Sequence, residues 1–179
     1  MMQDHEHGDP TVLTAFFAHN AWANLKLLDF CENLSDEQLD ATTIGGFGSI
    51  RETLLHIVGA EVSYVERVNG RQPAEPVSFK QFPGFSVLKD AVRWANEELL
   101  QLALSAHADT KVRQRPPRML IEYNLASLIP QAITHSTEHR THISVIITQL
   151  GMEPPDTSVW NYLDEIGEIQ ELGAAAEGA

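Results

Sequence analysis

Residues 127–150 read SLIPQAITHSTEHRTHISVIITQL, and the periodicity of this stretch decides the fold. Leu128, Ile129, Ala132, Ile143, Ile146, Ile147 and Leu150 recur at helical spacing and fall on one stripe. The spacing predicts a helix from about Ser127 to Leu150. Pro130 then falls in its first turn, where no intrahelical bond is lost, and Gly151 stands just past its end. Three histidines interrupt the pattern: His135, His139 and His142. Positions four apart on a helix lie about 40° apart around its axis, so His135 and His139 share a face. Two imidazoles so placed can point at one metal ion. His139 falls inside the apolar stripe, His135 on its edge, and His142 drifts to the rim beside Gln131 and Gln149. The bland alternative is polar trim on an ordinary helix. Two ligands also make a poor site, since catalytic zinc takes three protein ligands and keeps one position open.

Working outward, the same periodicity predicts three more long helices. The first runs from about Thr11 to Asn33, with Pro10 just before it. The second starts at Ser49, where Ser49 and Glu52 have capping-box spacing, and stops near Asn69-Gly70. The third covers about 86–107. Between them lie a short capped segment opening on SDEQ at 35–38, a glycine loop IGGFGS at 44–49, and a connector over 71–85 with Pro73, Pro76 and Pro83. Residues 108–118 read as a polar loop, 119–125 as a short extended segment, and 156–170 as a short last helix. The expected architecture is all-α, an up-down four-helix bundle over residues 10–170 with a short C-terminal extension. A disordered tail is expected at 1–9 and a flexible end at 171–179.

The chain has 179 residues, enough for one domain with a sizeable core. Its formal net charge is −13, which argues against nucleic acid or an anionic membrane as partner. The opening MMQDHEHGDP is polar and acidic, and no apolar run approaches the ~20 residues of a membrane span. A cytoplasmic protein is therefore expected. The single cysteine, Cys31, lies in an apolar helical stretch and reads as buried and inert.

A third ligand has to come from His19, His56 or His107. His107 ends a helix, where the helix dipole accounts for it. His56 is followed on its own face by the small residues Gly59, Ala60 and Ser63, yet periodicity alone sets it near Glu52 and Arg67, toward the surface. Residues alone leave the choice open. Three segments carry a resemblance: FFAHNAWANLKLL at 16–28 with Asn20, Trp22 and Asn24, GSIRETLLHIVGAEVSYVERV at 48–68, and HSTEHRTHI at 135–143. Together they resemble the DinB-like superfamily of four-helix metal proteins, over about residues 11–165.

The resemblance implies a metal held by His56, His135 and His139. The family often carries two adjacent histidines followed by Arg-Gly-Gln. Here Glu138 stands where the first of that pair falls and His142 where the glutamine falls, leaving His142 as an outer neighbour of the metal. Three imidazoles suit Zn²⁺ or Ni²⁺, with iron and manganese also open. Enzymes of the family use low-molecular-weight thiols, as S-transferases or a thiol-dependent isomerase, so the resemblance implies a thiol cosubstrate and a small-molecule electrophile. A metal-water hydrolase, a non-catalytic metal-binding protein and a bundle that only dimerises are the other readings; a homodimer is expected. Glu61 falls in the apolar stripe of the second helix, as a base or hydrogen-bond partner near the metal, or in an ion pair with a neighbouring arginine. Arg140, next to a ligand, is a candidate to hold a substrate carboxylate, with a surface ion pair as the plainer account.

Overall fold

The computed structural model describes residues 12–105, 110–114 and 120–170. The expected loose ends at 1–9 and 171–179, and His107, lie outside them. Among the described residues there are six helices and a small sheet: α1 (Val12–Cys31), α2 (Asp36–Leu39), α3 (Ile50–Asn69), α4 (Phe85–Ser105), β1 (Lys111–Gln114), β2 (Ile121–Asn124), α5 (Leu125–Gln149) and α6 (Val159–Glu165).

Local chemistry sets most of these boundaries. Ser35 and Ser49 each accept from the backbone N–H three residues on, and Gln38 and Glu52 reach back to the cap N–H. These are the two capping boxes that the sequence predicts. Gly70 ends α3 in the left-handed region, φ 73°, where a side chain would be strained. Helix α5 starts two residues earlier than expected. Pro130 is therefore inside the helix rather than in its first turn, and the Ala126 carbonyl loses its intrahelical donor.

The fold is mostly helical rather than all-α. Residues 111–114, expected as loop, pair antiparallel with 121–124 in the register Lys111↔Asn124, Val112↔Tyr123, Arg113↔Glu122. Val112 is buried against the core, and Arg113 holds Glu122 across the strands at 2.6 Å. Short alternation of this kind leaves a weak signal in the sequence, which is why only its second strand was foreseen.

The four long helices form a ring of neighbours, α1 against α4, α4 against α3, α3 against α5, and α5 against α1. Two apolar clusters fill the ring, one toward each end. Leu27, Leu54, Val58, Leu88, Val92, Ile143 and Ile147 belong to the first, and Phe17, Val65, Leu99, Leu125 and Leu128 to the second. The N-terminal halves of α3 and α4 thus share one cluster and their C-terminal halves share the other. These two helices run in the same direction, so the connectivity is not the simple up-down alternation expected. Residues 70–84 make this feasible: fully extended they span roughly 50 Å, more than the about 30 Å length of a helix of this size. On α5 the clusters leave a gap between Ala132 and Ile143, and the buried residues there are Ser136, His139 and Arg140.

Candidate metal centre

The gap between the apolar clusters is where the histidines meet. His56 from α3 faces His135 and His139 from α5, and one ring nitrogen of each lies within 4.8 Å of the others. Nε2 of His56 is 3.0 Å from Nε2 of His135. The three ring centroids are 4.4 to 4.8 Å apart. Two nitrogens bound to one tetrahedral ion at ~2.05 Å would stand ~3.3 Å apart, so the cluster needs only small adjustments to close on an ion.

The electrostatics suit a ligand set as well. Burial lowers the pKa of all three imidazoles, and their mutual repulsion lowers those of His135 and His139 further, taking His135 to about 4. A neutral imidazole is the form that donates a lone pair to a metal. The Nδ1 atoms of His135 and His139 are also buried with no hydrogen-bond partner among the described residues. Three neutral imidazoles from two facing helices, with ring nitrogens left over, fit a divalent ion.

The wheel of α5 is reproduced: His139 is buried, while His135 and His142 are half-buried. His142 packs edge-on to His139 at 5.3 Å between centroids, outside the cluster of three. His56 is half-buried, turned further inward than periodicity alone suggests. His19 is elsewhere, bonded through Nε2 to the Thr157 carbonyl at 3.0 Å.

Beneath the histidines lies a polar layer whose two weak sequence candidates are both buried. Glu61 is 1% exposed and Arg140 4%. Oε1 of Glu61 accepts from Asn20 Nδ2 at 2.8 Å, Asn24 Nδ2 at 3.0 Å and Ser136 Oγ at 2.6 Å. Arg140 Nη1 donates to Oδ1 of the same two asparagines at 2.8 and 2.7 Å, and Nη2 donates to Thr137 Oγ1. Each asparagine therefore uses its amide nitrogen on the anion and its amide oxygen on the cation. Burial pushes the Glu61 carboxyl up, and its three donors and Arg140 pull it back. Burial lowers Arg140 to about 10, which still leaves it charged at neutral pH. Arg140 is thus not at the surface and has its donors engaged inside the protein. Asn20, Asn24 and Ser136 were not singled out as partners from the sequence. The available signal was a pair of asparagines four apart on an otherwise apolar helix, which in a core has to find hydrogen-bond partners.

Two aromatic rings flank the cluster. Phe47, from the glycine loop before α3, stacks on His56 at 3.9 Å and meets His139 edge-on at 5.2 Å. Phe79, from the connector before α4, lies 6.5 Å from His56. With Glu52, Leu55 and His56 they line a recess of about 370 Å³. Gly59 makes room for Phe79: a Cβ there would stand 2.5 Å from the Phe79 ring. Of the small residues after His56, Gly59 is the one that this aromatic side chain covers. Cys31, by contrast, is fully buried in the core, and burial pushes its thiol up to about 12.

The chain as a whole is similar to known proteins. The Bacillus subtilis (strain 168) protein YizA, itself uncharacterized, is 23% identical over 146 residues, covering 80% of this chain and 91% of that protein. Protein DinB of the same strain is 20% identical over 156 residues, covering 82% of this chain and 91% of that one. A solved structure of a DinB-like protein from Bacillus cereus ATCC 10987 superposes with a TM-score of 0.60 at 18% identity, over 80% of this chain and 94% of that one. The sequence model of the DinB family matches residues 2–171, nearly the whole length. The chain belongs to the DinB family.

Proposed function

We propose that this protein holds one divalent ion, Zn²⁺ or Ni²⁺, through His56, His135 and His139, and uses it to activate a low-molecular-weight thiol toward a small electrophile. The observation that carries this reading is the convergence of three neutral imidazole nitrogens within 4.8 Å from two different helices. The ion would supply Lewis acidity that favours a thiolate at neutral pH. The protein's own residues do the rest. α3 and α5 present the ligands from opposite sides, and Glu61, Asn20, Asn24 and Arg140 lock α5 against α1 and α3 beneath them. Only three histidines converge among the described residues, which supports an open site rather than a closed structural one. The ring of four long helices supports reading the frame as a four-helix bundle. The acidic surface and the lack, among the described residues, of any helix long and apolar enough to cross a membrane favour a small-molecule substrate over nucleic acid or lipid.

Elemental analysis of the untagged protein beside its His139→Ala variant tests this reading. About one ion per chain, absent from the variant, is the expected result for a three-ligand site. No ion in either protein, even after incubation with Zn²⁺ or Ni²⁺, would overturn it. With the metal established, thiol consumption in the presence of an electrophile separates thiol transfer from hydrolysis.

A further inference from the structure

The recess beside the histidines has a chemistry of its own, and it points to what the site receives. Phe47 is 50% exposed and Phe79 53%, and both rings stand against the same ligand candidate, His56. Neither is there by accident of a loose loop. Phe47 is tethered two residues before Ser49, whose capping box fixes the start of α3, and Ile50 N–H donates back to the Ala41 carbonyl across that loop. Phe79 rests where Gly59 leaves no side chain. The structure thus keeps two half-covered rings beside His56.

Charge narrows the choice further. Of the five lining residues, Phe47, Glu52, Leu55, His56 and Phe79, the only formal charge is the Glu52 carboxylate. Glu138 adds negative potential near His135 and His139. Arg140, placed by sequence beside a ligand, turns Nη1 to the buried Asn20 and Asn24 and Nη2 to Thr137. The whole chain adds a formal net charge of −13. Once the proposed ion on His56 has taken its thiolate, an anionic group further out in this recess meets a carboxylate and two faces of hydrocarbon, with no cationic side chain among the five lining residues to offset its desolvation. A flat apolar group covers both rings and loses nothing.

We propose that the Phe47–Phe79 recess binds an uncharged aromatic group, so that the small molecule activated or attacked at this site is an uncharged aromatic compound rather than a carboxylate. This rests on the metal reading above. It is tested on Co²⁺-loaded protein, where a bound thiolate gives a sulfur-to-cobalt charge-transfer band that reports binding without turnover. The probes are benzyl mercaptan, its 4-carboxylate, and 2-mercaptoethanol. Benzyl mercaptan is expected to bind about tenfold tighter than either of the others. Phe47→Ala and Phe79→Ala should each erase most of that preference, with affinities compared per bound cobalt because Phe47 stacks on the ligand His56. Equal or tighter binding of the carboxylate would overturn the proposal and turn attention to Lys80, next to Phe79 in the chain. An undiminished preference in both variants would overturn it too, with the metal reading intact. Absence of any cobalt spectrum before thiol is added would sink the metal reading first and this one with it.

Discussion

Asn20 and Asn24 perform the same exchange twice, each joining the Glu61 carboxylate to the Arg140 guanidinium through one side-chain amide. A buried charge is tolerable only while its partners hold, and losing one partner exposes the full cost of the other. Arg140→Met should therefore lower stability by about 3–5 kcal/mol in urea unfolding. Glu61→Gln combined with Arg140→Met should recover much of that loss, because no lone charge is left inside. A double variant as unstable as the sum of the singles would count against the bridged pair. The histidines make a second prediction at this scale. His135 is held near 4 against an ordinary 6.5, so between those values the unfolded chain binds more protons than the folded one. Stability of the metal-free chain then rises with pH across that window and is lost on acidification. The urea midpoint after chelator treatment should fall from about pH 7 to about pH 5, and fall less in His135→Asn.

At the scale of the element, α3 shows how separate devices converge on one ligand. Its capping box fixes the N-terminus less than two turns before His56, and Ser49→Ala should cost about 1 kcal/mol in the same unfolding assay. Gly59→Ala works differently. The new Cβ would displace the exposed Phe79 ring while improving helix propensity by up to ~1 kcal/mol. Stability should hold or rise while the affinity of Co²⁺-loaded protein for benzyl mercaptan falls. How much of this was readable beforehand differs by element. Helices α1, α3, α4 and α5 announced themselves because an amphipathic stripe repeats many times in twenty or so residues. The capping boxes were legible because their signal is local. The β1–β2 hairpin was half missed because four-residue strands carry almost no periodicity. The position of His135 and His139 followed from their own helix. That of His56 did not, because the rings that pack on it come from outside its helix: Phe47 and Phe79 from the loops on either side of α3, and His135 and His139 from α5. Glu61 was visible as a charge on an apolar stripe, but its partners on α1 could only be known once the helices were packed.

For the molecule as a whole, the proposed ion would tie α3 to α5 between the two apolar clusters and bind only the folded chain. A ligand at a hundred times its dissociation constant adds about 2.7 kcal/mol to stability. Zn²⁺ should therefore raise the unfolding temperature of the wild-type chain and leave that of His139→Ala unmoved. The parallel course of α3 and α4 was hidden for a related reason: direction is decided by the reach of the connector at 70–84, and a proline-rich stretch of that length permits either sense. Outside the four long helices, α6 buries no residue of its own, and it is held to α1 by Glu165, which receives both the Trp22 indole N–H and the Lys26 ammonium. With Tyr162 packed on the Trp22 ring as well, Trp22 becomes a fluorescent reporter of α6 once Trp94 and Trp160 are replaced by Phe. If α6 lifts away while the core stays folded, the indole loses its anionic partner and its emission shifts before any signal from the helices changes. In that single-tryptophan background Glu165→Gln should show the shift at rest, giving an optical clock for the motion of one short segment.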